Sequence, residues 1–333
     1  LRRAVAHLRR GRHRPRRVIT LRAVGQLAAG YRSSAQARQL AYLEHAQEHF
    51  LCWMEREGLF DEVALGVAFK GGTAIRKFHV GGAGRFSTDL DFAILEPHVA
   101  RHIIDALTTG FDCEGVHFAL HGLVDSSATL STHAQWVASV PGEATLGQTI
   151  PAKLDFSLHR ALLPVTRSGR AVISTIDAKT LGFEPTCPPL FDIRENLAEK
   201  LCRVRRSLLA RDVFDLAHFA KEMRDHMELI REMVFLKVYG DVVHDARGEK
   251  PFRDGDEYVG GAEKDLLGAD EIGALAQPDV KWAPLLKIIG DIYGQGIGAP
   301  RDEREGRLAA CNASDAHWHG TQLDEFVARH RPT

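Results

Sequence analysis

The chain has 333 residues, 44% of them hydrophobic and 26% charged. Those are globular proportions, and a chain of this length can bury a sizeable core without disulfide or metal staples. The formal net charge of -1 hides an asymmetry: residues 1–50 hold eleven Arg and two Glu, +9 by count, which leaves -10 for the other 283 residues.

Eight of those Arg fall within residues 1–17, LRRAVAHLRRGRHRPRR. The run has no apolar centre, so it does not read as a secretory signal. It reads as a solvated basic arm over 1–32 that seeks phosphate, as on nucleic acid. No later stretch reaches 18 uninterrupted apolar residues, so no spanning helix is expected. The five cysteines (Cys52, Cys113, Cys187, Cys202, Cys311) are scattered and include no CxxC pair. That pattern points to free thiols in a reducing cytoplasm and away from zinc.

Residues 34–57 read as an amphipathic helix. Leu40, Leu43, Phe50 and Met54 recur at helical spacing, Ser33 or Ser34 can cap it, and Gly58 ends it. Ala64 to Phe69 reads as a short strand, Thr73 to Phe78 as the start of a helix, and Gly81, Gly82 and Gly84 as a loop. Phe86 to Leu95 reads as a second strand stopped by Pro97, and 98–109 as a helix. From 112 to 176 the pattern is mostly β, as in His117–Leu120, Lys153–Phe156 and Ala171–Ser174. Pro185, Pro188 and Pro189 then mark a change. Residues 191–245 are rich in Leu, Ala, Glu, Lys and Arg, which is helical composition. Another helical segment lies near 283–293. The expected organisation is an α+β core over 33–185 followed by a mainly helical domain over 186–333.

Four features carry chemistry. In a strand, Asp89 and Asp91 point to the same face while Leu90 turns to the core. Two carboxylates that close repel, and a hard divalent cation such as Mg²⁺ relieves the repulsion. Alone, this pair is a common strand feature. Upstream, Lys70-Gly71-Gly72-Thr73 follows a strand and opens a helix, so free backbone N–H groups and the Thr73 hydroxyl are offered to an anion. Downstream, Asp155 alternates with Leu154 and Phe156 on a strand. It is placed to complete a metal site with Asp89 and Asp91 and to deprotonate an attacking hydroxyl. Lastly, Lys200 and Arg211 are eleven residues apart and share a face if one helix runs through both. They are then placed to grip a triphosphate. On the same reading Arg211 pairs with Asp215 at i+4, and Asp212 lies beside them.

The order and spacing of these parts resemble the polymerase-β-like nucleotidyltransferases. More narrowly, the sequence resembles the AbiE-type toxin nucleotidyltransferases (AbiEii/AbiGii), the MenT group included. The resemblance rests on Lys70-Gly-Gly-Thr-Ala-Ile75, Arg85-Phe-Ser-Thr-Asp-Leu-Asp91, Ala198-Glu-Lys200 and Arg211-Asp-Val-Phe-Asp215. It covers roughly 60–220. It implies a mixed sheet flanked by helices and a toxin that moves a nucleotide from an NTP to an RNA hydroxyl. In several members that acceptor is the 3′ end of tRNA, which blocks aminoacylation and halts translation. It also implies a cognate antitoxin. The expected roles follow. Asp89, Asp91 and Asp155 hold Mg²⁺. Lys70, Gly71, Gly72, Thr73 and Ser87 cradle the nucleotide. Lys200 and Arg211 neutralise the leaving pyrophosphate, and Asp212 positions Lys200 or the base. Transfer to a protein or small-molecule hydroxyl, and a non-catalytic nucleotide-binding module, are the alternatives.

Overall fold

The computed structural model describes residues 21–29, 34–61, 66–81, 84–126, 131–139, 150–158, 160–167, 181, 183–204, 207–243, 266, 280–292 and 316–330. The expected strand at Ala171–Ser174 and most of the basic arm lie outside these residues.

Residues Leu21–Ala28, which the charge pattern assigned to the arm, form helix α1. Its Val24 and Ala28 enter the core beside α2, Ser34–Arg56. Every residue of α2 from Leu40 to Met54 is buried. The helix is therefore more than amphipathic. Several of its polar side chains are buried against partners: Glu44 takes Arg76, Glu48 takes Lys77, and the Gln47 amide donates to the Ser87 and Thr88 carbonyls. The apolar side stacks Phe50 on Trp136 at 5.2 Å and Trp53 on Phe111 at 4.2 Å. Rings of this size each stabilise by roughly 2–3 kcal/mol on burial.

The sheet has eight strands among the described residues, in the order β3-β4-β5-β6-β2-β1-β8-β7. They are β1 Ala68–Lys70, β2 Leu90–Ala93, β3 Phe111–Cys113, β4 Val116–Ser126, β5 Ser131–Ser139, β6 Ile150–Ser157, β7 Thr166–Arg167 and β8 Pro189–Leu190. β2 runs parallel to β6 and antiparallel to β1, while β1 runs parallel to β8, so the sheet is mixed. Along β6, Ala152, Leu154 and Phe156 face the core and alternate with less buried Lys153 and Asp155. That alternation is what a strand with one buried face requires. The Pro-rich stretch at which the composition changes ends in β8, so it still contributes a strand to the sheet, between β1 and β7.

Helix α3, Gly71–Ile75, starts directly after β1, two residues before the expected start, and continues as a π-helical turn over Arg76–Val80. α4, Pro97–Thr109, begins on its proline, where the missing N–H costs nothing. The region read as helical by composition is a succession of helices: α5 Ile193–Val204, α6 Ala210–His218, α7 Ala220–Asp225 and α8 Met227–Val243. With α9 Trp282–Ile292 and α10 Ala316–His330 they share a second apolar core, to which Leu162 and Leu163 also belong.

Candidate active site

Three neighbouring strands place one row of charged side chains in register. Lys70 on β1 lies opposite Asp91 on β2, and Asp91 lies opposite Asp155 on β6. Register partners project to the same face of a sheet, with strands about 4.8 Å apart. Asp89 precedes β2 and is not in the ladder, contrary to a strand starting at Phe86. The reason is that side chains take up the backbone there. Thr73 Oγ1 donates to the Asp89 carbonyl at 2.5 Å and the Ser87 carbonyl at 3.3 Å, and Gln47 takes Ser87 and Thr88 at 3.2 Å. The Thr88 hydroxyl then donates to Asp89 Oδ1 at 2.9 Å. Asp89 stays close enough to act on Asp91. Burial first, then the Asp155 and Asp89 carboxylates, push the Asp91 carboxyl up to about 7, against the pull of Lys70 and Arg203.

The two glycines make this crowding possible. Gly71 has φ 75°, and a Cβ there would land on the Asp91 carboxylate. A Cβ on Gly72 would stand 2.5 Å from Arg85 Nη2 and 2.9 Å from Ser87 Oγ. The turn thus brings bare backbone against Asp91 and Ser87. Its Gly71 N–H is committed to Asn196 Oδ1 at 2.9 Å. Thr73 is only 2% exposed. Its hydroxyl, expected to face a ligand, clamps the Asp89 segment instead.

The helical half departs most from expectation. Lys200 is on α5 and Arg211 is on α6, so no single helix aligns them. Lys200 is buried, with Nζ 2.9 Å from both Asp212 and Asp215. Asp215 also takes Arg85 as a fork, at 2.8 and 3.1 Å. The pair expected between Arg211 and Asp215 is replaced by these two buried cations, and Arg211 is exposed. Burial alone would raise the Asp212 carboxyl, but Lys200 and Arg203 overcome it and hold Asp212 well below the usual carboxylate range. A second network joins sheet to helices. Lys70 Nζ meets both oxygens of Glu199, at 3.0 and 2.9 Å. Lys237 on α8 bridges Glu199 at 3.2 Å and Glu195 at 2.9 Å. Burial disfavours the Glu199 charge, yet Lys70 and Lys237 hold its carboxyl far below the ordinary value.

Over residues 56–283 the sequence matches the AbiEii family, described as a nucleotidyl transferase toxin of type IV toxin–antitoxin systems. The match takes in the whole span from Lys70 to Asp215 and well over half the chain. The chain belongs to the AbiEii nucleotidyltransferase toxin family. Its structure is also similar to that of MenT4, a nucleotidyltransferase toxin from Mycobacterium tuberculosis H37Rv, with a TM-score of 0.75 and 30% identity over 92% of this chain and 99% of that one. No protein with a curated description matches the sequence. The expected mixed sheet flanked by helices is the fold of this toxin. As a member of the family it is an enzyme, a nucleotidyltransferase that takes an NTP and has an antitoxin as its partner.

Sequence reasoning missed several residues that build this AbiEii site. Gln47, Asn196 and Arg203 carry no motif signal of their own. Arg85 stood within the quoted motif without a role, and proves to lock the loop to α6. Among the described residues, no group of three or more His, Cys, Asp or Glu side chains is placed to hold a metal ion. Mg²⁺ does not need one, since it takes one or two protein carboxylates and completes its shell with phosphate and water. Asp91, raised by burial and by like charges and lined by a glycine, suits such an open oxygen site. Among the described residues, no helix is long and apolar enough to cross a membrane.

Proposed function

We propose that this AbiEii toxin uses Mg²⁺ to transfer a nucleotide from an NTP to an RNA hydroxyl, at the 3′ acceptor end of tRNA, and so blocks aminoacylation and translation in the cytoplasm. The observation that carries the reading is the register of Asp91 with Asp155, with Asp89 close by and Asp91 pushed up to about 7. Such a set costs free energy unless a cation joins it. Asp89 and Asp91 would hold the Mg²⁺, with Asp155 in register beside Asp91, and the ion when bound neutralises phosphate charge. Lys70, Gly71, Gly72 and Ser87 form the floor under the nucleotide. Asp155 takes the proton from the RNA hydroxyl. The hydroxyl oxygen bonds to the α-phosphorus, the bond from that phosphorus to the β-phosphate oxygen breaks, and pyrophosphate leaves with the electron pair. Thr73 acts by holding the Asp89 segment, and Lys200 by fixing Asp212 and Asp215. The eight Arg within residues 1–17 favour RNA over a protein or small-molecule acceptor.

Sequencing of tRNA 3′ ends after expression in a growing host tests the acceptor. Extra nucleotides on intact 3′ ends are the expected result. Unaltered tRNA ends in cells arrested by the toxin would remove tRNA as the acceptor.

A further inference from the structure

The cations around the carboxylates are mostly spoken for. Lys70, Lys200, Arg85 and Lys237 each lie within 3.2 Å of at least one carboxylate, and each is at most 15% exposed. They hold the walls together and cannot also wrap a phosphate without breaking those pairs. Arg203 is different. It sits on α5 one turn beyond Glu199 and Lys200, and its side chain is 39% exposed. Its one ion pair among the described residues is a 3.4 Å contact from Nη1 to Asp212 Oδ2, a carboxylate that Lys200 already holds at 2.9 Å. A guanidinium has five N–H donors, and this contact engages one of its nitrogens. Its charge also acts favourably on Asp91, Glu199 and Asp155, which places it near the carboxylate row.

We propose that Arg203 is a catalytic residue of this site: anchored on Asp212, its guanidinium contacts the β- and γ-phosphates of the NTP and stabilises the pyrophosphate as it leaves. This rests on the nucleotidyl-transfer reading above and gives to Arg203 the role that sequence spacing gave to Lys200 and Arg211. When the α-phosphorus bonds to the acceptor oxygen, the bond to the bridging oxygen breaks and the pyrophosphate gains negative charge. Arg203 keeps its proton throughout and donates N–H bonds to those oxygens. A planar fork matches phosphate oxygens in pairs, which a lysine does not. Lys200 is then a positioning residue, since it acts through Asp212.

The test uses the full chain and its Arg203→Gln and Arg203→Lys variants. Inorganic pyrophosphate with Mg²⁺ and each of the four NTPs with Mg²⁺ are titrated by calorimetry, and Mn²⁺ alone is titrated by electron paramagnetic resonance. Arg203→Gln is expected to weaken pyrophosphate binding about 10- to 100-fold. Mn²⁺ binding to the carboxylates stays equal or tightens, because a nearby positive charge is gone. Arg203→Lys falls between wild type and Arg203→Gln. Pyrophosphate binding that survives in both variants overturns the role of Arg203 and leaves the nucleotidyl-transfer reading standing. Parallel loss of Mn²⁺ and pyrophosphate in both variants means a deformed site, and also overturns it. A wild-type chain that binds Mn²⁺ but neither pyrophosphate nor any NTP overturns the nucleotidyl-transfer reading itself.

Discussion

Asp91 carries the electrostatic tension of the site. Burial and then the Asp155 and Asp89 carboxylates push its carboxyl up to about 7 in the folded chain, from 3.8 when unperturbed. A carboxyl raised on folding binds its proton more tightly in the folded state. It contributes no penalty below about pH 4, and the penalty grows as pH rises to 7 and stays above it. Three units correspond to roughly 4 kcal/mol as an upper bound. Asp91→Asn is therefore expected to raise stability by roughly 2–4 kcal/mol at pH 8 in chelator, to change little at pH 4, and to abolish transfer. Denaturant melts at the two pH values check this. Gly71 is the companion case. Alanine there must adopt φ 75° and displace the Asp91 carboxylate. Gly71→Ala should cost about 2–4 kcal/mol, from backbone strain and the clash together, and reduce transfer at least about 100-fold. Thermal melts and nucleotide-incorporation rates give the two readings.

At the scale of elements, α5 is the bracket between sheet and helices. Glu195 is fully buried, accepts from the Leu162 and Leu163 amides at 2.9–3.0 Å, and pairs with Lys237. Glu195→Ala strands two amides and removes one of the two carboxylates that Lys237 bridges, so it should cost about 3–5 kcal/mol, read as a shifted urea midpoint with unchanged slope. This bracket was not legible in the sequence. Gly71 meets Asn196 across 125 residues and Arg85 meets Asp215 across 130. No periodicity encodes contacts that far apart, because they depend on how the helical half packs on the sheet. Local features were legible: the Gly-Gly-Thr turn, the β6 alternation around Asp155, the ends of α2, and helical composition after residue 191. The eleven-residue spacing of Lys200 and Arg211 misled because it assumed one helix where the chain breaks after Val204 and restarts at Ala210.

Across the whole molecule, one core lies between α2 and the sheet and a second among the C-terminal helices. The pairs Lys70–Glu199 and Arg85–Asp215–Lys200 join the sheet side to the helices near the carboxylate row. Placing the site there lets each half contribute: the sheet side supplies Asp91, Asp155 and the cations Lys70 and Arg85, and the helices supply Glu199 and Asp215, which pair with those cations. Family membership says that this AbiEii chain is a nucleotidyltransferase toxin. The register of Asp91 with Asp155, with Asp89 beside them, is the ground on which the chemistry is proposed there. The most direct measurement incubates purified wild-type and Asp89→Ala protein with labelled NTPs, Mg²⁺ and total tRNA, then follows label into RNA. Wild type should label tRNA, with Asp89→Ala at least about 1,000-fold slower, which corresponds to roughly 4 kcal/mol of transition-state stabilisation. Full activity in Asp89→Ala, or no label in any RNA with wild type, would contradict the account.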